Sequence, residues 1–322
     1  MREPIRVGAV NYLNTKPLIE NLESIAPEIA LSLEVPSRLA DQLAGGKIDV
    51  GLIPVIEYFR AGGLSNTNPS ASWPGVDPPQ PPPSRGGLGG VEPRPSFELA
   101  GDNPGGEPRP SRGYSIVPGI SIASRGPVLS VTLFSRLPWP KIRRIALDEG
   151  SRTSAALTKI ICAKRHGIRP ECVQLPLEAD PEKVDADAVL LIGDRAMRAC
   201  MPGFVHAYDL GQEWHEWTGL PFVYAFWAVR SGVELGAAEE ALHEAKRQGL
   251  ERIGEIAQRE SKLLGLDAGF CRRYLQTIIQ FDLGPREQAG LHHFYMLACE
   301  LGLARRGVSL DYYGQPDLVE SR

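Results

Sequence analysis

Apolar positions along the chain follow two alternating periodicities. Residues 5–10 form a short apolar run of strand length, followed by a turn over 11–15 and a helix starting near Pro17, where proline is well tolerated in the first turn. Residues 31–35 read as a second strand, Ser37 as the cap of a helix carrying Leu39, Leu43 and Ala44, and residues 50–53 as a third strand. Two β-rich runs, 114–122 and 129–134, are separated by Ser124, Arg125, Gly126 and Pro127. A second series follows, with a strand at 144–147, a helix over 154–165 and strands at 173–175 and 188–192. Residues 222–229 are again strand-like. Helical spacing then takes over, with Leu242, Ala245, Gly249, Ile253 and Ile256 as a buried stripe and further helices over 268–279 and 285–303. Residues 305–322 show no periodicity and are expected to be a C-terminal tail. This alternation predicts an α/β architecture with mainly parallel sheets. No self-similarity recurs at about 20 to 50 residues, which excludes solenoids and propellers.

Composition adds one feature that the pattern does not show. Residues 62–113 hold 12 prolines and 11 glycines in 52 residues, with Trp73 and Phe97 as the only aromatics, so this stretch cannot build a core. It reads as a disordered, solvated insertion into an otherwise conventional domain, with a polyproline ligand at 81–83 or 93–95 as the functional alternative. Lysine and arginine total 35 against 39 acids, for a net charge of −4, so no basic field favours nucleic acid. The five cysteines, Cys162, Cys172, Cys200, Cys271 and Cys299, are widely spaced without a CxxC pair and read as reduced thiols of a cytoplasmic protein. No apolar run approaches the roughly 18 residues of a membrane helix, and residues 7–10 are too few for the core of a signal peptide, so neither a membrane nor export is expected.

The chain has no GxGxxG after a strand, no GxxxxGK[ST], no HExxH and no GxSxG. Its six histidines show no ligand spacing beyond the adjacent His292 and His293, which point about 100° apart on a helix, so no metal site is expected. One stretch has clear physics: strand 144–147, then Gly150, Ser151, Arg152, Thr153 and Ser154 opening a helix. Backbone N–H groups, hydroxyls and a guanidinium can converge there on an anion, although Ser151 or Ser154 could equally be an ordinary cap. At Ile192-Gly193-Asp194 a strand end delivers a carboxylate into a turn, where it could face a ligand or cap the next helix.

Four runs, taken together, resemble a known family: Val7-Gly-Ala-Val-Asn-Tyr-Leu-Asn-Thr-Lys-Pro-Leu18, Gly126-Pro-Val-Leu-Ser-Val131, Ser151-Arg-Thr-Ser154, and the pair Leu191-Ile-Gly-Asp194 and Trp217-Thr-Gly-Leu-Pro-Phe-Val223. In that order they are similar to chorismate dehydratases of the futalosine route to menaquinone, from about residue 5 to 303 outside the insertion. Two departures stand out: the insertion itself, and Gly150 where a hydroxyl residue is expected. The resemblance implies an α/β, two-lobed periplasmic binding protein type II-like fold with a ligand cleft between lobes. Lobe 1 would combine 1–129, which contains the 62–113 insertion, with 225–304; lobe 2 would be 130–224, and 305–322 the tail.

The activity so implied is loss of water from chorismate to give 3-[(1-carboxyvinyl)oxy]benzoate, a reaction without redox change and so without a cofactor. Asn14 and Ser130 match the family's pocket positions and are the expected catalytic residues. Ser151, Arg152, Thr153, Ser154, Gly193 and Asp194 are the expected substrate contacts, with Arg152 near one substrate carboxylate. The base is either Asp194 or the enolpyruvyl carboxylate of chorismate itself. A 1,4-dihydroxy-6-naphthoate synthase-like sister enzyme and a non-catalytic small-anion binding protein are the alternatives. Trp214, Trp217 and Phe222 could be cleft wall or hinge packing.

Overall fold

The computed structural model describes residues 3–62 and 113–314. The expected disordered insertion, apart from its two end glycines, and the last residues of the expected tail lie outside the described residues. The elements run β1 (Ile5–Val10), α1 (Lys16–Ile19), α2 (Leu22–Ile25), β2 (Ile29–Glu34), α3 (Pro36–Ala44), β3 (Val50–Pro54), α4 (Val55–Ala61), β4 (Tyr114–Ser124), β5 (Val131–Ser135), β6 (Arg144–Asp148), α5 (Arg152–Ile160), β7 (Glu171–Leu175), β8 (Ala188–Ile192), α6 (Gly193–Arg198), β9 (His206–Asp209), α7 (Leu210–Thr218), β10 (Phe222–Arg230), α8 (Ala237–Glu251), α9 (Ile253–Leu264), α10 (Ala268–Arg273), β11 (Ile279–Gln280) and α11 (Pro285–Glu300).

Two sheets organise these elements, one of six strands in the order β11-β4-β10-β3-β1-β2 and one of five in the order β7-β6-β8-β5-β9. Each belongs to one lobe. The sheets are mixed rather than mainly parallel. β1 pairs in parallel with β2 and β3, and β6 with β7 and β8, whereas β10 runs antiparallel to β3 and β4, β4 to β11, and β5 to β8 and β9. The reason is the path of the chain. It leaves the first lobe after β4 and returns in β10, so the outgoing and returning strands lie side by side in opposite directions. β10 belongs to the first sheet from Phe222 onward, so the second lobe's elements end with α7.

Both crossings are held tightly. In the first, Leu129 adopts φ 62°, a left-handed conformation that costs a non-glycine residue about 1–3 kcal/mol unless its surroundings impose it. The Asp209 carboxylate does so, accepting the N–H groups of Val128 at 3.0 Å and Leu129 at 2.7 Å while also capping α7 through Gln212 N at 3.0 Å. In the second, α11 packs on the chain so closely that a Cβ on Gly290 would lie 2.0 Å from the Pro221 carbonyl oxygen. Trp214 is fully buried beside this crossing, donates from Nε1 to Pro221 O at 3.0 Å and meets Phe222 edge-on, so these aromatics pack the hinge.

Local departures from the sequence reading have simple causes. Ser37 does not cap α3, because Pro36 already occupies the first turn and Val35 takes the cap position without a side-chain bond. The helix expected over 154–165 starts at Arg152 and loosens into a π turn over 161–165; that expected over 268–279 does the same over 274–278 before β11. The closing segment is no free tail up to residue 314. The Tyr58 hydroxyl donates to Ser309 O at 2.9 Å and accepts Asp311 N–H at 2.8 Å, and Leu235 N–H donates to the Tyr313 hydroxyl at 2.7 Å. Among the described residues no helix is long and apolar enough to cross a membrane.

Candidate active site

The carboxyl ends of β1, β3 and β8 and both crossings open onto one cavity between the lobes, the place where open α/β sheets bind ligands. It leaves about 540 Å³ between atoms, part of it open to solvent. Six of the expected residues line it: Asn14, Ser130, Ser151, Thr153, Ser154 and Gly193. Among the described residues, no Lys, Arg or His does.

Asn14 lies in the 3-10 turn Leu13–Thr15 that follows β1, and its Oδ1 accepts a bond from Thr15 Oγ1 at 3.5 Å. Ser130 ends the first crossing and is buried. Its carbonyl accepts Gly193 N–H at 2.8 Å and its Oγ accepts the Tyr274 hydroxyl at 2.8 Å. Gly193 opens α6 at φ 57°, and a Cβ there would come within 2.8 Å of the Tyr12 ring, so glycine is required for both conformation and space. Tyr12 thereby closes one wall of the cavity from the opposite lobe.

The third wall is the start of α5. Ser151 is its cap, accepting Ser154 N–H at 3.3 Å, so this part of the capping expectation holds. Thr153 Oγ1 accepts Ile56 N–H at 3.4 Å, which satisfies an orphan donor in the first turn of α4 across the cleft. The N–H groups of Arg152 and Thr153 have no intrahelical acceptor by the geometry of a helix start, and the positive end of the helix dipole lies with them.

Arg152 and Asp194 do not join the cavity. Arg152 turns to the other flank of α5, into a second groove, where Nη2 meets the Asp41 carboxylate at 2.7 and 2.9 Å and Nη1 meets Glu57 at 3.1 Å. Its charge clasps α3 and α4 of the first lobe. Asp194 neither caps α6 nor lines the cavity, since its Oδ1 accepts Leu13 N–H across the cleft at 3.0 Å. Burial raises its pKa, against the pull of that N–H, Arg198 and Lys16. Gly150 also lies outside the cavity wall. A Cβ there would lie 3.2 Å from Asp148 Oδ1 and 3.7 Å from the hydroxyl of Tyr12, which lines the cavity.

Three tyrosines were not singled out from the sequence. Tyr12 sits inside the first recognised run, where the run itself was the only signal. Tyr224 lines the cavity from β10 with its hydroxyl 3.3 Å from Ser124 Oγ, and burial pushes its pKa far up. Tyr274, behind Ser130, has no local signal at all: it lies in a helical stripe 144 residues away along the chain.

Comparison with known proteins places this arrangement. The family described as Menaquinone biosynthesis matches residues 5–72 and 108–300. A chorismate dehydratase of Thermus thermophilus is 36% identical over 197 residues, a match covering 56% of this chain and 71% of that protein. A chorismate dehydratase of Campylobacter jejuni is 29% identical over 118 residues, covering 37% of this chain and about half, 52%, of that protein. Among solved structures, a protein of Archaeoglobus fulgidus superposes with a TM-score of 0.64 at 16% identity, over 94% of this chain and 98% of that one. The alkanesulfonate-binding protein SsuA of Xanthomonas axonopodis pv. citri does so with a TM-score of 0.60 at 14% identity, over 96% and 97%. At such identities these likenesses concern the fold, which is that of the two-lobed periplasmic binding proteins. With the family matched over both lobes and around the cavity, the chain belongs to the chorismate dehydratase family of menaquinone biosynthesis.

Proposed function

We propose that this protein is a hydro-lyase that removes water from chorismate, releasing 3-[(1-carboxyvinyl)oxy]benzoate. The observation that carries the reading is the make-up of the cavity: hydroxyls, an amide and the start of α5 converge on it, and the described lining holds no basic side chain. A dianionic substrate is then bound by neutral donors and a helix dipole, which suits a reaction whose substrate carboxylate must keep its basicity. An arginine paired with that carboxylate would lower its proton affinity.

The chemistry balances without a partner. The proton leaves C3, the hydroxyl leaves C4, the two depart as one water and the ring becomes aromatic. The C3 proton and C4 hydroxyl lie on the same ring face, which disfavours a concerted anti elimination. The base in this reading is the enolpyruvyl carboxylate of the substrate, held over C3 by the pocket. Asp194 is the rival base; it is not among the residues that line the cavity, and its Oδ1 accepts Leu13 N–H. Asn14 would hydrogen-bond the substrate near the reacting carbons, Ser130 a carboxylate or the enol ether, and the α5 start with Ser151, Thr153 and Ser154 the second carboxylate. The reaction would take place in the cytoplasm, a reading supported by five cysteines that are all free thiols.

The test is purified protein mixed with chorismate alone, with products followed by chromatography and mass spectrometry. Loss of one water to the carboxyvinyloxy benzoate is expected. Chorismate bound but unchanged would make the protein a binding protein on the same fold.

A further inference from the structure

Ser130 has a single hydroxyl proton, and where that proton points decides which ligand group the cleft accepts. Tyr274 controls it. The phenol opens the π turn over 274–278, its ring stacks on Phe270 with planes 11° apart, and both its hydroxyl and Ser130 Oγ are buried. At 2.8 Å the Tyr274 hydroxyl donates to Ser130 Oγ. Once Ser130 has accepted, its own proton has to go elsewhere, and the cavity it lines is where a ligand would take it.

We propose that Tyr274 is a positioning residue of the dehydration, which commits Ser130 to act as a hydrogen-bond donor and so selects a substrate presenting a carboxylate or ether oxygen at that point. The role rests on the dehydratase reading above. Without the phenol hydroxyl the Ser130 rotor would be free to turn its proton away, and the ligand would face a hydroxyl of undefined polarity.

A double-mutant cycle on the full chain tests this, with kcat and KM for chorismate measured for the unaltered protein, Ser130→Ala, Tyr274→Phe and the double variant. Tyr274→Phe should lower kcat/KM by about tenfold in the unaltered background, the scale of one buried hydrogen bond. In the Ser130→Ala background the same change should cost less than about twofold, because the group it positions is already gone. An equal loss in both backgrounds overturns the proposal and leaves Tyr274 a packing residue. Ser130→Cys provides a check that spares the tyrosine: a thiol accepts and donates poorly, so its kcat/KM should fall to the level of Ser130→Ala, and retention of the unaltered value overturns the proposal as well. If the unaltered protein leaves chorismate intact, the dehydratase reading fails and this role fails with it; turnover with additive effects removes the role alone.

Discussion

The two flanks of the first turn of α5 use opposite kinds of electrostatics. On one, Ser151, Thr153 and Ser154 face the cavity with dipoles only; on the other, one residue along, Arg152 spends a full charge on Asp41 and Glu57 of the first lobe. Successive helical residues point about 100° apart, so a single turn can serve a ligand and a lobe contact at once. In the proposed dehydration this division would have a chemical use. A guanidinium in the cavity would bind a carboxylate tightly but would quench it as a base, whereas hydroxyls and N–H groups hold it with less change in its proton affinity. On the outer flank the charge joins α5 to α3 and α4 of the first lobe.

The largest effect is expected at Asn14, the neutral flank's counterpart. Asn14→Ala should lose at least about 100-fold in kcat, the scale of a removed donor to developing charge, while Asp194→Asn should stay within about threefold in a chorismate turnover assay. The reverse pattern would make Asp194 the base and end the substrate-assisted reading. The charged flank should give a smaller effect. Arg152→Gln should raise KM about three- to tenfold with kcat nearly unchanged, since a partly exposed ion pair contributes only modestly to closure, and the difference should shrink with added salt. A loss of kcat by more than about 100-fold would instead put Arg152 on the substrate.

The smallest effect concerns two carboxylates of opposite behaviour, Asp49 and Asp209. Burial opposes charge on Asp49, but hydrogen bonds from Arg6 and Arg230 outweigh it and hold its pKa at about 2. Its contribution is therefore present above the ordinary aspartate value and disappears as pH falls through about 2. Asp209 is the opposite case: burial raises its pKa despite the N–H groups of Val128, Gln212 and Leu129, so its contribution weakens as pH rises from the ordinary value through the raised one. Asp49→Asn should cost about 1–2 kcal/mol in urea unfolding near neutral pH, and the cost should vanish in strong acid. A cost that persists there would mean packing rather than charge.

Legibility in the sequence followed burial and distance along the chain. β8 and β10 were readable because Ala188–Ile192 and Phe222–Arg230 are apolar through most of their length. β9 was not, since His-Ala-Tyr-Asp carries no apolar alternation, and its place at the sheet edge leaves it half covered. Among site residues, Ser130, Ser151 and Gly193 were found because short recognisable runs contain them. For Arg152 the residue type suggested a carboxylate partner, and nothing local announced that Asp41, 111 residues away, would supply one. Tyr274 was missed for the same reason.

From its residues alone this chain was determined to be α/β and two-lobed, to carry a helix start suited to an anion, and to resemble one family. Those properties depend on local patterning and on short peptides that keep their conformation wherever they are placed. Which donors line the cavity, that Arg152 pairs with Asp41 and Glu57, and that a phenol stands behind Ser130 follow from the tertiary packing alone. The pairs responsible, Leu13 with Asp194, Arg152 with Asp41 and Ser130 with Tyr274, are each more than 100 residues apart in sequence. They exist only because the packing of two separate lobes offsets the entropy of closing such long loops and brings their groups within bonding distance.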